Sequence, residues 1–295
     1  MLTGMSFGPT RIDGMIGSYA QYLSRKHASN CKRFESLLVA NHEGAMAEAI
    51  VFGLLQSLHL SPEINEDVEV GGPDFICAGS TLNFGLRRVI KPSPEDRFVV
   101  EATCLDPDAV TRRSDIPNEL PDDISGGPFS LLTRSICNKV KDKTTQLGGH
   151  AMPRVLAVAS SHAGVGALFN TGAAEWMLTS EPRIVAGIGS PGLGRQCTDL
   201  RSSVFLRLAD DGRTALPCRQ TVSAILLIAV YGDKSEVYGI LHPQPARPLR
   251  IDFFPKIPFV RLSKWPITDG IISTEWVLAD PGGLGVPHFP VDADD

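Results

Sequence analysis

Gly71-Gly72-Pro73-Asp74-Phe75-Ile76-Cys77-Ala78 and Phe98-Val99-Val100-Glu101-Ala102-Thr103-Cys104 are the two stretches on which the fold turns. Each joins one acid to a short apolar run of strand type, with Asp74 just before its run and Glu101 just after the first part of its own. If the two runs are neighbours in one sheet, both carboxylates converge on one point. Two carboxylates held that close repel unless they share a proton or a cation. The pattern therefore indicates either a metal site or an acid/base pair.

Outward from this pair, helical and strand signals alternate. Residues 42–58 read as a helix, because Ala47, Ile50, Val51, Leu54, Leu55 and Leu58 form one apolar stripe at about 100° per residue. Pro62 follows as a stop. Strands are expected at 67–70, 74–78 and 97–104, and residues 106–128, with four prolines and many acids, read as a loop. A second helix is expected over 129–147, with Leu132, Ile136 and Val140 on its apolar side. Further on, the pattern predicts a strand at 155–160, a helix at 164–178, and strands at 183–188 and 221–230.

This alternation predicts an α/β protein with a mixed central sheet flanked by helices. Three regions are expected: an N-terminal arm (1–34) with a short helix over Tyr19–His27, an α/β domain (35–242) and a C-terminal extension (243–295). The extension holds nine prolines in 53 residues, against 13 in the preceding 242. No internal repeat is present.

The composition, 43% hydrophobic and 21% charged over 295 residues, is that of an ordinary globular chain. No run of about 18 apolar residues exists, so a membrane span is not expected. The first residues lack a basic segment followed by an apolar one, so no secretory signal is expected either. Six scattered cysteines (31, 77, 104, 137, 197, 218) form no C-x-x-C pair. They read as reduced core residues of a cytoplasmic protein, not as a zinc site. A net charge of −5 argues against a surface coated in nucleic acid but leaves local phosphate binding open. Basic clusters at Arg87, Arg88 and Lys91, at Arg112 and Arg113, and at Arg134–Lys143 read first as solvated faces.

Further candidates lie on the two helices. Glu43 falls within the apolar stripe of the first helix, near Ala47, Ile50 and Leu54. Glu48 lies at its edge beside Val51, Phe52 and Leu55. A glutamate there is costly unless paired or metal-bound, although Glu43 also suits a first-turn position favoured by the helix dipole. On the second helix Lys139, Lys143 and Gln146 share one face. Such a face can present an ammonium and an amide to a phosphate or an attacking water, but on spacing alone a solvated basic face is the better reading.

In this order (helix with Glu, strand with Asp, strand with Glu, helix with Lys and Gln) residues 42–160 resemble the PD-(D/E)xK, or restriction-endonuclease-like, nuclease superfamily. The resemblance rests on Glu48 or Glu43, Pro73-Asp74, Glu101-Ala102-Thr103 and the Lys139–Gln146 face. It implies a restriction-endonuclease-like core, Mg²⁺ or Mn²⁺ held by Glu48 (or Glu43), Asp74 and Glu101, and nucleic acid, DNA by the resemblance, as substrate. A homodimer is left open. The family's lysine stands two residues after the Glu, where this chain has Thr103. Some members move it to the following helix, so Lys143 or Lys139 would replace it, with Gln146 assisting. The alternative is a catalytically inactive interaction or nucleic-acid-binding protein that keeps the fold.

Other signals are weaker. Gly187–Gly194 contains G-x-G-x-x-G, but Pro191 and the polar stretch after it suit a glycine-rich turn better than a helix N-terminus holding a dinucleotide. His162 at a strand end reads as a helix-entry residue. No G-x-S-x-G elbow is present, and Trp176, Trp265 and Trp276 read as core or tail anchors.

Overall fold

The computed structural model describes residues 12–65, 72–79, 96–105, 136, 138–143, 151–161, 169–180, 182–186, 193–197, 200, 202–231 and 234–279. Three helices come first among the described residues: α1 (Ile12–Lys26), α2 (Ala28–Ala40) and α3 (His42–Ser57). A short strand β1 (Glu63–Ile64), then β2 (Phe75–Ala78) and β3 (Arg97–Cys104), form an antiparallel meander. Residues 136 and 138–143 are helical, and we call this segment α4. Strand β4 (Arg154–Ser160) returns parallel to β3, and helix α5 (Thr171–Thr179) follows.

The main sheet has eight strands in the order β1-β2-β3-β4-β9-β10-β11-β12. Its second half comprises β9 (Ala224–Tyr231), β10 (Lys234–Leu241), β11 (Pro258–Leu262) and β12 (Thr274–Leu278). Strand β9 is parallel to β4, β9 and β10 pair antiparallel, β10 and β11 pair parallel, and β12 closes the edge antiparallel to β11. Two separate antiparallel pairs, β5 (Pro182–Ala186) with β6 (Leu193–Cys197) and β7 (Leu206–Leu208) with β8 (Ala215–Pro217), complete the strands among the described residues. The α/β class and the mixed, helix-flanked sheet expected from the sequence are therefore present.

Each face of the sheet carries its own core. On one face Phe98, Val100, Ala102, Ala157, Leu226 and Ile228 pack with α1–α3. On the other, Val99, Leu105, Leu156, Val158 and Leu227 pack with Ile136 and Val140 of α4 and with α5. Alternation along β3 makes this division, since successive side chains of a strand project to opposite sides. Helix α3 lies between the sheet and the α1–α2 pair, so Ala45–Phe52 is buried on every side, as expected for a helix apolar all round.

Two regions differ from the sequence expectation. Where an arm with one short helix is expected, residues 12–40 form two helices that pack on α3. Met15, Tyr19 and Leu23 recur every fourth residue, and the Tyr19 ring lies 4.8 Å from both Phe34 and Phe52. Where a proline-rich extension is expected, residues 258–262 and 274–278 supply β11 and β12 of the main sheet. Pro258 stands at the first position of β11, where a missing N–H is tolerated. Gly239 of β10 makes that parallel pairing possible: a Cβ there would stand 2.0 Å from the buried Phe259 ring. The expected strand at 67–70 lies outside the described residues. Among the described residues no helix is long and apolar enough to cross a membrane.

Candidate functional site

The ladder between β2 and β3 pairs Phe75 with Val100. One further step of that register brings Asp74 opposite Glu101. Strand β2 ends at this point, and the Asp74 side chain takes over its role: Oδ2 accepts a hydrogen bond of 2.7 Å from the Ala102 N–H. Asn65 secures the other side, its backbone N–H donating to the Asp74 carbonyl (3.0 Å) and its side-chain amide to the Pro73 carbonyl (3.1 Å). Asp74 is thus a buried carboxylate locked to β3 one peptide unit from Glu101.

Glu101 and Thr103 interrupt the apolar run Phe98–Cys104 of β3. They sit on the face of Val99 and Leu105, toward α4. Two strand residues span about 6.6 Å and four helical residues about 6 Å, so an i, i+2 pair on a strand matches an i, i+4 pair on a helix lying across it. The match is used here. Lys143 Nζ donates to Glu101 Oε1 in an ion pair, and Lys139 Nζ approaches Thr103 Oγ1 at 3.5 Å. The helix therefore runs antiparallel to β3, as the connection between two parallel strands requires. Glu101 is almost wholly buried, its side chain 4% exposed, whereas that of Lys143 is 27% exposed and reaches solvent.

The other expected glutamates are elsewhere. Helix α3 packs on the opposite face of the sheet, with Val100 and Ala102, so Glu48 is separated from Glu101 by the sheet. Both Glu48 carboxylate oxygens accept from Arg33 of α2, at 2.8 and 3.2 Å. Glu43, at the start of α3, accepts a long hydrogen bond of 3.4 Å from Ser161, just beyond β4. Gln146 and His162 lie outside the described residues. The structure thus brings together Asp74, Glu101, Lys143 and Lys139, whereas Glu48 is paired with Arg33 and Glu43 meets Ser161 at the end of β4. No group of three or more His, Cys, Asp or Glu that could hold a metal ion is assembled among the described residues.

Sequence reasoning missed two participants. Asn65 had no signal beyond its place after β1. Arg33 falls in the stretch expected to be an arm, where nothing in its spacing announces a partner on α3. Residues 187–192 of the glycine-rich segment lie outside the described residues; Leu193 and Gly194, at its end, belong to β6, which pairs antiparallel with β5. Comparison with protein-family models, curated proteins and solved structures gives no match for this chain.

Proposed function

We propose that this protein is a metal-dependent nuclease of restriction-endonuclease-like fold, acting on nucleic acid, DNA by the resemblance, through a divalent ion held by Asp74 and Glu101. One observation carries the reading: Asp74, fixed against β3, stands opposite the buried Glu101, and two lysines of α4 lie over Glu101 and Thr103. The succession α3, meander β1–β2–β3, α4 and parallel β4 supports it, being the order expected for such a core.

The donor set suits magnesium or manganese. Two carboxylates offer hard oxygen ligands, and Mg²⁺ commonly takes only one or two from the protein, leaving the rest to water and phosphate. When bound, such an ion would supply a polarised phosphoryl oxygen and a more acidic water. The chain's own groups do the rest. The Ala102 N–H holds Asp74 Oδ2 and so fixes which way the carboxylate faces. Lys139, beside Thr103, brings an ammonium to the place along β3 where the family carries its lysine. There it stabilises negative charge developing on phosphoryl oxygens. Glu48, tied to Arg33 on the far face, fastens α2 to α3 and is left out of the ligand set.

The test is cleavage of plasmid and single-stranded DNA with Mg²⁺ or Mn²⁺. Asp74→Ala and Glu101→Ala should both abolish it, and unchanged activity in both rejects the proposal. Lys139→Ala should also lose activity, and the double change Thr103→Lys with Lys139→Ala should restore part of it by returning the ammonium to the strand. A second reading, a non-catalytic interaction protein, is favoured by one observation: Glu101 and Glu48 already have cationic partners in Lys143 and Arg33. It predicts no cleavage and no Mn²⁺ binding by the wild type or any variant.

A further inference from the structure

Lys143 does more at Glu101 than a water-activating lysine needs to do. Its ammonium is in direct contact with Oε1 of a carboxylate whose side chain is only 4% exposed. Burial makes an isolated carboxylate costly, so Glu101 requires a cation in every state in which it is ionised. A divalent ion and the Lys143 ammonium both answer that requirement, and they compete for the same carboxylate, whose Oε1 the ammonium holds. The lysine has somewhere to go, because its side chain is partly open to solvent at the end of a long flexible stem.

We propose that Lys143 is the resident counter-cation of Glu101, and that a divalent ion gains this carboxylate only by displacing it. The inference rests on the metal-site reading above and adds regulation of that site. Metal binding alone is weak, because the ion must break an ion pair that already neutralises the buried charge. A substrate phosphate, which offers the displaced ammonium a new anion, strengthens metal binding. By reciprocity, the metal strengthens phosphate binding by the same factor. Lys143 thus acts as a gate on metal loading, and Lys139, whose partner is the neutral Thr103, stays at its post throughout.

The experiment is a calorimetric titration of Mn²⁺ into the full chain, without nucleic acid. Lys143→Met removes the competing charge and should tighten Mn²⁺ binding by about 5- to 150-fold, the range of ordinary site-to-site coupling. Lys143→Gln keeps a hydrogen-bond donor for Glu101, protecting the fold if the methionine variant is unstable, and should change affinity in the same direction. Asp74→Asn combined with Lys143→Gln should bind far more weakly than Lys143→Gln alone. If Lys143→Gln and wild type bind Mn²⁺ equally, the gate is overturned while the metal site stands. If neither binds, the metal site falls and the gate with it.

Discussion

Asp74 has two jobs in this account, one in the fold and one in the chemistry, and two substitutions separate them. The carboxylate is buried and accepts a 2.7 Å hydrogen bond from the Ala102 amide, a short distance typical of an ionised acceptor. Asp74→Ala removes the acceptor and leaves that amide unsatisfied within β3, which costs about 1–3 kcal/mol. Asp74→Asn retains an oxygen at the same place. It loses only the charge assistance, about 1 kcal/mol or less, and part of that returns as relief of repulsion on Glu101. Urea unfolding followed by circular dichroism should therefore rank wild type above Asp74→Asn and both above Asp74→Ala. Mn²⁺ titration should show binding lost in both variants. Equal stability of Asp74→Ala and wild type would refute the hydrogen-bond argument. Undiminished Mn²⁺ binding by Asp74→Asn would refute the role in the site.

Two further outcomes follow from groups outside the proposed ligand pair. Arg33→Ala removes the two hydrogen bonds that Arg33 donates to Glu48 and should destabilise the fold by about 1–3 kcal/mol, less than the ~3–5 kcal/mol of a fully buried pair because the arginine is 25% exposed. Glu48→Gln should leave Mn²⁺ affinity unchanged; loss of binding in that variant would return Glu48 to the ligand set. His242 is buried between the Cys218 carbonyl, 2.8 Å from Nε2, and the Gln244 N–H, 2.9 Å from Nδ1. Burial pushes its pKa down from 6.5 to about 4, outweighing the hydrogen bond to the Cys218 carbonyl, which acts in the raising direction. The unfolded chain then binds the extra proton first, so stability is lost as pH falls from about 6.5 toward about 4, by on the order of 3 kcal/mol. A His242→Gln variant should lack this contribution in urea titrations across that window, and an unchanged pH profile would contradict it.

The parts of the fold carried by periodic apolar patterns were legible in the chain. The stripe from Ala47 to Leu55 became α3, Phe98–Val100 fell inside β3, and the apolar runs near 155–160 and 224–230 became β4 and β9. What escaped was structure written in weaker code. In β10 the buried residues, Ser235, Val237 and Gly239–Ile240, include a serine and a glycine, so alternation does not stand out from the chain around it. In β11 the strand begins at a proline and pairs with β10 through two register positions only. The site followed the same rule. Asp74, Glu101 and the lysine spacing could be read because Asp74 immediately precedes a strand and the others sit at regular offsets on a strand or helix. Which face Glu48 would take could not, because α3 is buried on all sides and its stripe does not distinguish the sheet from the α1–α2 pair. Arg33 turned out to be the partner that decides it.

The most direct measurement is metal-dependent cleavage by the wild type beside Glu101→Gln, a change that keeps the shape of the buried side chain and removes its charge. With Mn²⁺ and plasmid DNA, the wild type should nick or linearise the substrate, chelation should abolish this, and Glu101→Gln should show none. Equal cleavage by both proteins, or cleavage that persists after the metal is chelated, would contradict the proposed function.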